Sequence, residues 1–456
     1  VTGPSERDRE QVAALLGRQP RGAFEVVVRG AGGRPVVVRN EPFEFDGRPM
    51  PTRWWLVGKE LREAVSRLEA GGGVKAAEAA VDPARLAAAH ERYRQERDAA
   101  IPPGHSGPRP QGGVGGARRG VKCLHAHLAW FLAGGDDPVG RWVAERLGLP
   151  AAVAAVDCGT NSTRLLVAGA GGAPLRRLMR ITRLGQGVDA TGRLDLEAVE
   201  RTLAVLAEYR EEMDRLGVGP VRASATSAVR DAANRDDFLD GAEKVVGTRP
   251  ELLSGEEEGR LSYAGATADL DPAAGPYLVV DIGGGSTELV AGPGGGAEPE
   301  GVVSIDVGCV RVTERFLHHD PPTEEEVAAA RRAVGEALDR AVAAVPAARG
   351  ARVLVGLAGT VTTLAALDQG LESYDRDRVH HYVLDRGRVE ELASVLLGEP
   401  AAARSARAGV EAGRADVIAG GALVLAVVME RLGIDRCLVS EADILDGMVA
   451  SLRGLP

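Results

Sequence analysis

Short apolar runs broken by turns dense in Gly, Ser and Thr punctuate the chain, and one such arrangement occurs twice. Ala154-Ala155-Val156 leads into Asp157-Cys158-Gly159-Thr160-Asn161-Ser162-Thr163-Arg164 and leaves through Leu165-Leu166-Val167. The echo, Asp281-Ile282-Gly283-Gly284-Gly285-Ser286-Thr287-Glu288, lies between Leu278-Val279-Val280 and Leu289-Val290-Ala291. Each copy reads as strand, tight polar turn, strand. Further strands are predicted at 25–28, 35–38, 54–57, 221–225, 302–307, 353–357 and 436–439, with 30–33 as a hairpin turn. Helical spacing predicts helices at 59–70, 83–99, 121–133, 138–147, 196–216, 256–265, 323–344, 416–430 and 443–452. Asp82-Pro83 and Thr323 supply N-caps, and Gly454 stops the last helix. Residues 102–120, rich in Gly, Pro and Arg, read as loop or disorder. Strands alternating with helices around Gly-rich turns indicate an α/β fold.

A new apolar strand near residue 153 places one boundary at about Pro150. The change to mostly helical sequence after 302–307 places another. Three segments result: 1–150, 151–306 and 307–456. A chain of 456 residues and 47.5 kDa has room for that many domains. Aromatic residues make up only 4% against 45% hydrophobic overall, so the cores must be built largely from Ala, Val and Leu.

A net charge of -10 argues against a whole-surface nucleic-acid binder but allows a local anion pocket. Lys59, Lys75, Lys122 and Lys244 are the lysines; the other basic residues are arginines, which reads as genomic bias rather than chosen recognition. Cys123, Cys158, Cys309 and Cys437 show no paired framework, which fits a reduced cytoplasmic protein. No apolar run approaches a membrane span, and the polar start has no signal-peptide core.

The repeated turns carry the candidate chemistry. Backbone N–H groups and hydroxyls gathered at one point suit phosphate oxygens, and the leading carboxylates suit a hard cation. Three glycines after Asp281 let the backbone approach an anion closely. Glu288 returns across its hairpin toward the same cleft. Two carboxylates beside a phosphate imply Mg²⁺ or Mn²⁺ between them. In the first copy Asp157 would hold metal-bound water, while Asn161, Ser162 and Arg164 would contact phosphate. Glu256-Glu257-Glu258 opens a helix and is either an ordinary first-turn cap or, beside a phosphate, the source of a general base. Arg230 is either a brace for a transferring phosphoryl group or a solvent arginine. The turn from Gly359 and Thr360 to Thr363 is a third hydroxyl-rich loop after a strand. A zinc site at Cys123 would need one of His125 or His127, which face different ways on a helix, and distant ligands such as His90 or His105.

These motifs resemble the exopolyphosphatase / guanosine pentaphosphate phosphohydrolase (Ppx/GppA) family, of the actin, Hsp70 and sugar-kinase superfamily. The likeness runs from about residue 153 onward. It is carried by Asp157 to Arg164, Arg183-Leu184-Gly185-Gln186-Gly187, Ala225 to Asn234, Leu253 to Gly259, Asp281 to Val290, Gly359 to Thr363, Arg414-Ala415-Asp416 and Ser440 to Gly447. It implies two ribonuclease-H-like lobes around a cleft, and water attacking a terminal phosphoryl group with a divalent cation, Mg²⁺ or Mn²⁺. By motif, Glu258 is the general base, and Asp281 and Glu288, with Asp157, are the metal acids. Arg230, Thr226, Ser227, Gly283, Gly284, Gly285, Ser286 and Thr287 hold the phosphate. Gly259 stands where the family usually has alanine. The resemblance also implies the short form, without appended HD-type domains. Expected partners are inorganic polyphosphate or pppGpp, with a homodimer as one assembly; a superfamily kinase and a polyphosphate or (p)ppGpp sensor are the rivals.

Residues 1–150 resemble a small actinobacterial domain of unknown function (DUF501-like), through Gly17 to Gly22, Ser66-Arg67-Leu68-Glu69 and Val121 to His125. That family's Cys-Pro-Cys-like turn is replaced by Arg29-Gly30-Ala31-Gly32, and another cysteine is missing near Val57-Gly58. An accessory or substrate-recruiting module is expected, forming a small α+β domain.

Overall fold

The computed structural model describes residues 4–30 and 33–453, and three sheets organise them. The middle of the expected 30–33 turn and the Gly454 helix stop lie outside the described residues. The first sheet pairs β1 (Phe24–Arg29), β2 (Pro35–Asn40) and β3 (Trp54–Leu56) antiparallel, in that order. Helices Glu6–Leu16, Lys59–Ala70, Gly73–Ala80, Pro83–Ala99, Leu124–Leu132 and Pro138–Arg146 surround it in the small domain. All four tryptophans fall within residues 1–150. Trp54, Tyr93 and Trp130 pack with ring centroids 5.0 to 6.1 Å apart, so the scarce aromatic surface is concentrated in this core. Residues 102–120, expected as loop or disorder, form an ordered loop. Val114 N–H donates to His90 Nδ1 at 3.0 Å, and the Arg97 guanidinium donates to the Gly112 carbonyl at 2.7 Å.

The second sheet holds β4 (Ala152–Cys158), β5 (Ser162–Gly169), β6 (Pro174–Ile181), β7 (Val221–Ala225) and β8 (Glu251–Leu252), in the order β6-β5-β4-β7-β8. β4 runs antiparallel to β5 and parallel to β7. The third sheet holds β9 (Tyr277–Ile282), β10 (Thr287–Gly292), β11 (Gly301–Ile305), β12 (Val353–Leu357), β13 (Val383–Asp385) and β14 (Arg436–Val439), ordered β11-β10-β9-β12-β14-β13. Again the first two strands form an antiparallel hairpin and the fourth lies parallel to the first. Two sheets of one topology, each opening on a repeated hairpin, are the two ribonuclease-H-like lobes of the expected fold. β4 and β9 are buried along their whole length, which explains their continuous apolar sequence.

The boundary expected at 306/307 does not match the sheets. β9, β10 and β11, assigned to the first lobe by that division, join β12 and β14 in the second. The change in composition after residue 305 marks helices that cover this same sheet: Glu324–Ala344 packs on it through Ala330, Val334 and Leu338. Helix Ile444–Leu452 departs in the other direction, its Ile444, Leu445 and Met448 packing on Val153, Ala155 and Leu166 of the first lobe. It also crosses helix Gly255–Thr267. A Cβ on Gly265 would sit 2.0 Å from the Asp443 carbonyl oxygen, and one on Gly447 would sit 2.2 Å from that of Leu261, so glycine is required on both sides of the crossing. Among the described residues no helix is long and apolar enough to cross a membrane.

Candidate active site

Both hairpin tips close with the same bond: Gly159 N–H donates to the Ser162 carbonyl and Gly283 N–H to that of Ser286, each at 3.0 Å. Register then sets the chemistry. Asp157 lies directly opposite Arg164 on β5, and Asp281 directly opposite Glu288 on β10. One hairpin thus presents an ion pair where the other presents two acids.

The tips meet. The Thr160 hydroxyl is 3.0 Å from the Ser227 hydroxyl. A Cβ added to Gly284 would lie 2.8 Å from Thr160 Cβ, and one on Gly285 would lie 2.4 Å from Ser227 Oγ. The carbonyls of Gly283 and Gly284 accept N–H groups of Cys309, Val310 and Arg311 at the start of helix Cys309–Phe316. Because a trans peptide points its N–H opposite its carbonyl, the Gly284 and Gly285 N–H groups face away from that helix.

Around this junction lie four buried or nearly buried carboxylates. Asp157 accepts from Arg164 at 2.7 Å and from the Ser224 hydroxyl at 3.0 Å. Asp281 accepts from the Ser262 hydroxyl at 2.6 Å, and Glu288 from the Ser304 hydroxyl at 2.7 Å. Burial, then the Asp281 charge, pushes the Glu288 carboxyl up to about 8. Burial likewise raises Asp281. Glu258 is raised well above the usual carboxylate range, by burial first and then by Glu288, Asp157 and Asp281.

The Glu256 to Glu258 triplet divides by role. Glu257 closes a capping box with Ser254, accepting its N–H at 2.9 Å while the Ser254 hydroxyl accepts Glu257 N–H at 3.2 Å. Glu256 is exposed. Glu258 turns inward, its side chain 14% exposed, and its Oε2 is buried without a hydrogen-bond partner. Gly259 lets this helix lie close to β10 and β11: a Cβ there would be 3.0 Å from both Val290 and Val302 side chains. Arg230 donates to the Leu253 carbonyl at 2.8 Å and stands 3.9 Å from Glu258 Oε2.

Other expected contacts are placed differently. Arg164 is engaged on both sides, by Asp157 and by Asp443. The Thr287 hydroxyl donates to the Val307 carbonyl. Asn161 and Thr226 are buried beside the tip, and Asn161 Nδ2 has no partner, while Ser162 is half-buried. Gly359 starts helix Ala358–Asp368 under the Arg414 guanidinium and lines a neighbouring cavity of about 640 Å³ with Arg164, Arg177, Arg376 and Arg414. Thr360 is buried, and a Cβ on Gly421 would come within 2.3 Å of its hydroxyl.

Asp443 escaped the sequence reading as a site residue. It caps helix Ile444–Leu452 through Leu445 N–H at 2.9 Å and joins Arg164 from the far end of the chain. Burial works to raise its carboxyl, but the Arg164 and Arg177 guanidiniums hold it below the usual value. The Ser440 to Gly447 motif was its one signal.

Residues 26–145 match the model for a protein family of unknown function (DUF501). Exopolyphosphatase 2 of Mycobacterium tuberculosis is 46% identical over 318 residues, 66% of this chain and 98% of that protein. A crystal structure of an exopolyphosphatase-like protein superimposes with TM-score 0.63 at 39% identity, over 65% of this chain and 97% of the other. That of an exopolyphosphatase from Cytophaga hutchinsonii gives TM-score 0.60 at 26% identity, over 67% and 99%. Residues 167–454 match the Ppx/GppA phosphatase family model, and the chain belongs to that family.

Proposed function

We propose that the protein removes the terminal phosphoryl group of inorganic polyphosphate as orthophosphate, with a divalent cation as cofactor. The observation that carries this reading is Glu258. Its Oε2 is a buried acceptor with no partner, 3.9 Å from Arg230, beside two hairpin tips in contact. A buried, unpartnered carboxylate oxygen is costly unless a ligand completes it.

The residues fit a cation. Asp281 and Glu288 are oxygen donors directly opposite one another; burial raises both carboxyls, and the Asp281 charge raises Glu288 further, a charge that Mg²⁺ or Mn²⁺ would offset. Asp281 and Glu288 would hold it, with Asp157 nearby. A bound cation offsets the acids' charge and draws electron density from phosphoryl oxygens.

The chain's own groups supply the rest. The Gly284 and Gly285 N–H groups and the Thr160 and Ser227 hydroxyls donate to the terminal phosphate. Arg230 adds a guanidinium where charge accumulates on the phosphoryl oxygens. Glu258, once ionised, takes a proton from the attacking water at Oε2. Little covalent chemistry is asked of the protein; positioning and charge stabilisation carry the rate. The adjoining cavity, lined by four arginines and by Glu411, Glu441 and Asp443 that pair with them, gives a longer phosphate chain room to continue.

Steady-state orthophosphate release from short polyphosphate, long polyphosphate and pppGpp, with Mg²⁺ or Mn²⁺, tests the proposal. Polyphosphate should be the better substrate by kcat/KM. Preference for pppGpp would move the assignment to the nucleotide, and tight binding without turnover would make the protein a sensor.

A further inference from the structure

The small domain carries a second cluster of metal-type ligands, away from the phosphatase acids. Cys123, His125 and Glu69 each offer one donor atom, and all three atoms lie within 4.8 Å of one another. Cys123 Sγ is 3.7 Å from His125 Nδ1, and Glu69 Oε1 is 3.4 Å from the same nitrogen. Donors bound to one tetrahedral zinc at ordinary bond lengths stand about 3.6 Å apart for sulfur and nitrogen, and about 3.4 Å apart for nitrogen and oxygen. Both separations are therefore already those of a shared ion.

The tautomer agrees. His125 Nε2 is 3.1 Å from the Arg62 carbonyl oxygen, which can only accept, and 3.2 Å from the Ser66 hydroxyl, which can accept as well, so in the neutral ring Nε2 carries the proton and the Nδ1 lone pair faces Cys123 and Glu69. Leu124 N–H donates to Glu69 Oε1 at 2.6 Å and fixes the carboxylate. Cys123 is the N-cap of the nine-residue helix Leu124–Leu132, which places its sulfur at the helix start beside His125. Thiolate plus carboxylate carry two negative charges, the amount a divalent ion offsets.

A second group, Asp269 with His380 and His381, is arranged differently. His380 Nδ1 accepts the Glu441 N–H at 3.1 Å, so the proton lies on Nε2, the atom that faces Asp269. That pair is a hydrogen bond, with no lone pair left for an ion. His90 is likewise engaged, by Val114 N–H and the Gly120 carbonyl, so the distant ligands expected from sequence are not the ones assembled.

We propose that Glu69, Cys123 and His125 form a Zn²⁺ site in the small domain, with three protein ligands and an open fourth position. Cys123 and His125 line a cavity of about 590 Å³ that Arg62 and Arg67 also border. The fourth position faces that space and takes water or an anionic oxygen donor. Three protein ligands with an exchangeable fourth is the pattern of reactive rather than purely structural zinc.

Full-length protein, stripped by chelator and titrated with Co²⁺, tests the site. One equivalent should produce thiolate-to-cobalt charge-transfer absorption and the intense visible bands of tetrahedral cobalt, both abolished by Zn²⁺. Cys123→Ser should remove the charge-transfer band, whereas Asp281→Asn should keep it, because the phosphatase acids offer no sulfur. Absence of the band in the wild-type protein, or its survival in Cys123→Ser, overturns the proposal. A second readout needs no variant: equimolar Zn²⁺ should slow alkylation of Cys123 by about tenfold relative to Mg²⁺, since a metal-bound thiolate is a poorer nucleophile. Equal labelling with the two ions also overturns it.

Discussion

Glu258 Oε2 and Arg230 Nη1 stand 3.9 Å apart, too far to hydrogen-bond and near enough that a small group between them would touch both. Replacing Glu258 by Gln keeps the shape of the gap and removes its basicity. The variant is expected to lose about 10²- to 10⁴-fold in kcat with little change in KM. Circular dichroism should be unchanged. Wild-type turnover in the folded variant would remove Glu258 from the role of base.

The paired acids make stability depend on pH. In the folded state Glu288 holds its proton to about 8, against 4.5 for the free side chain, and Asp281 is raised as well. Between those values the folded protein binds more protons than the unfolded chain, so stability falls as pH rises through the window. In chelator, the melting temperature should drop between about pH 5 and pH 8, by roughly 1 °C for each kcal/mol at 456 residues. Saturating Mg²⁺ should flatten the slope, and an identical slope with and without the ion would mean the acids do not hold it.

Contact between the hairpin tips leaves no room for a methyl group. A Cβ on Gly285 would lie 2.4 Å from Ser227 Oγ and 3.2 Å from Thr160 Oγ1. Gly285→Ala should cost about 1–3 kcal/mol by overpacking, and activity should fall with it. Gly387→Ala, in helix Arg386–Gly398 with nothing within 4 Å, is the control and should be neutral or slightly stabilising. Denaturant midpoints for the two variants decide it.

Arg164 is the bridge between the first hairpin and Asp443. Arg164→Met would leave Asp157 buried without an ion-pair partner and Asp443 with Arg177 alone, at a cost of about 3–5 kcal/mol. Urea unfolding should show a lower midpoint at unchanged slope. A loss below about 1 kcal/mol would mean that water reaches both carboxylates.

Much of the site was legible because its information is local. A turn sequence such as Asp281 to Glu288 specifies its own hairpin, and register alone places Glu288 opposite Asp281. The parts that escaped depend on other segments. Ser224, Ser262 and Ser304, which hold the three acids, are single small polar residues with no motif. β6 was missed because its alternation is blurred by Arg176, Arg177 and Arg180, as befits an edge strand. The residues alone left Glu256, Glu257 and Glu258 undivided and the family motif pointed to Glu258; the Ser254 capping box, by fixing the helix phase, shows why that one turns inward. A zinc site at Cys123 was weighed with histidines as its distant ligands; Glu69, on a separate helix, is invisible to spacing along one element. The boundary at 306 failed because composition reports secondary structure, whereas lobe membership follows the sheet.

The return of helix Ile444–Leu452 to the first lobe means that the polypeptide passes between the two halves twice, once after β8 and again after β14. A body joined by a single thread can swivel in any direction; one joined by two has an axis. The paired glycines Gly265 and Gly447 sit where those threads cross, and Glu258 rides on one of them. Opening and shutting of the cleft would consequently be a folding about that line.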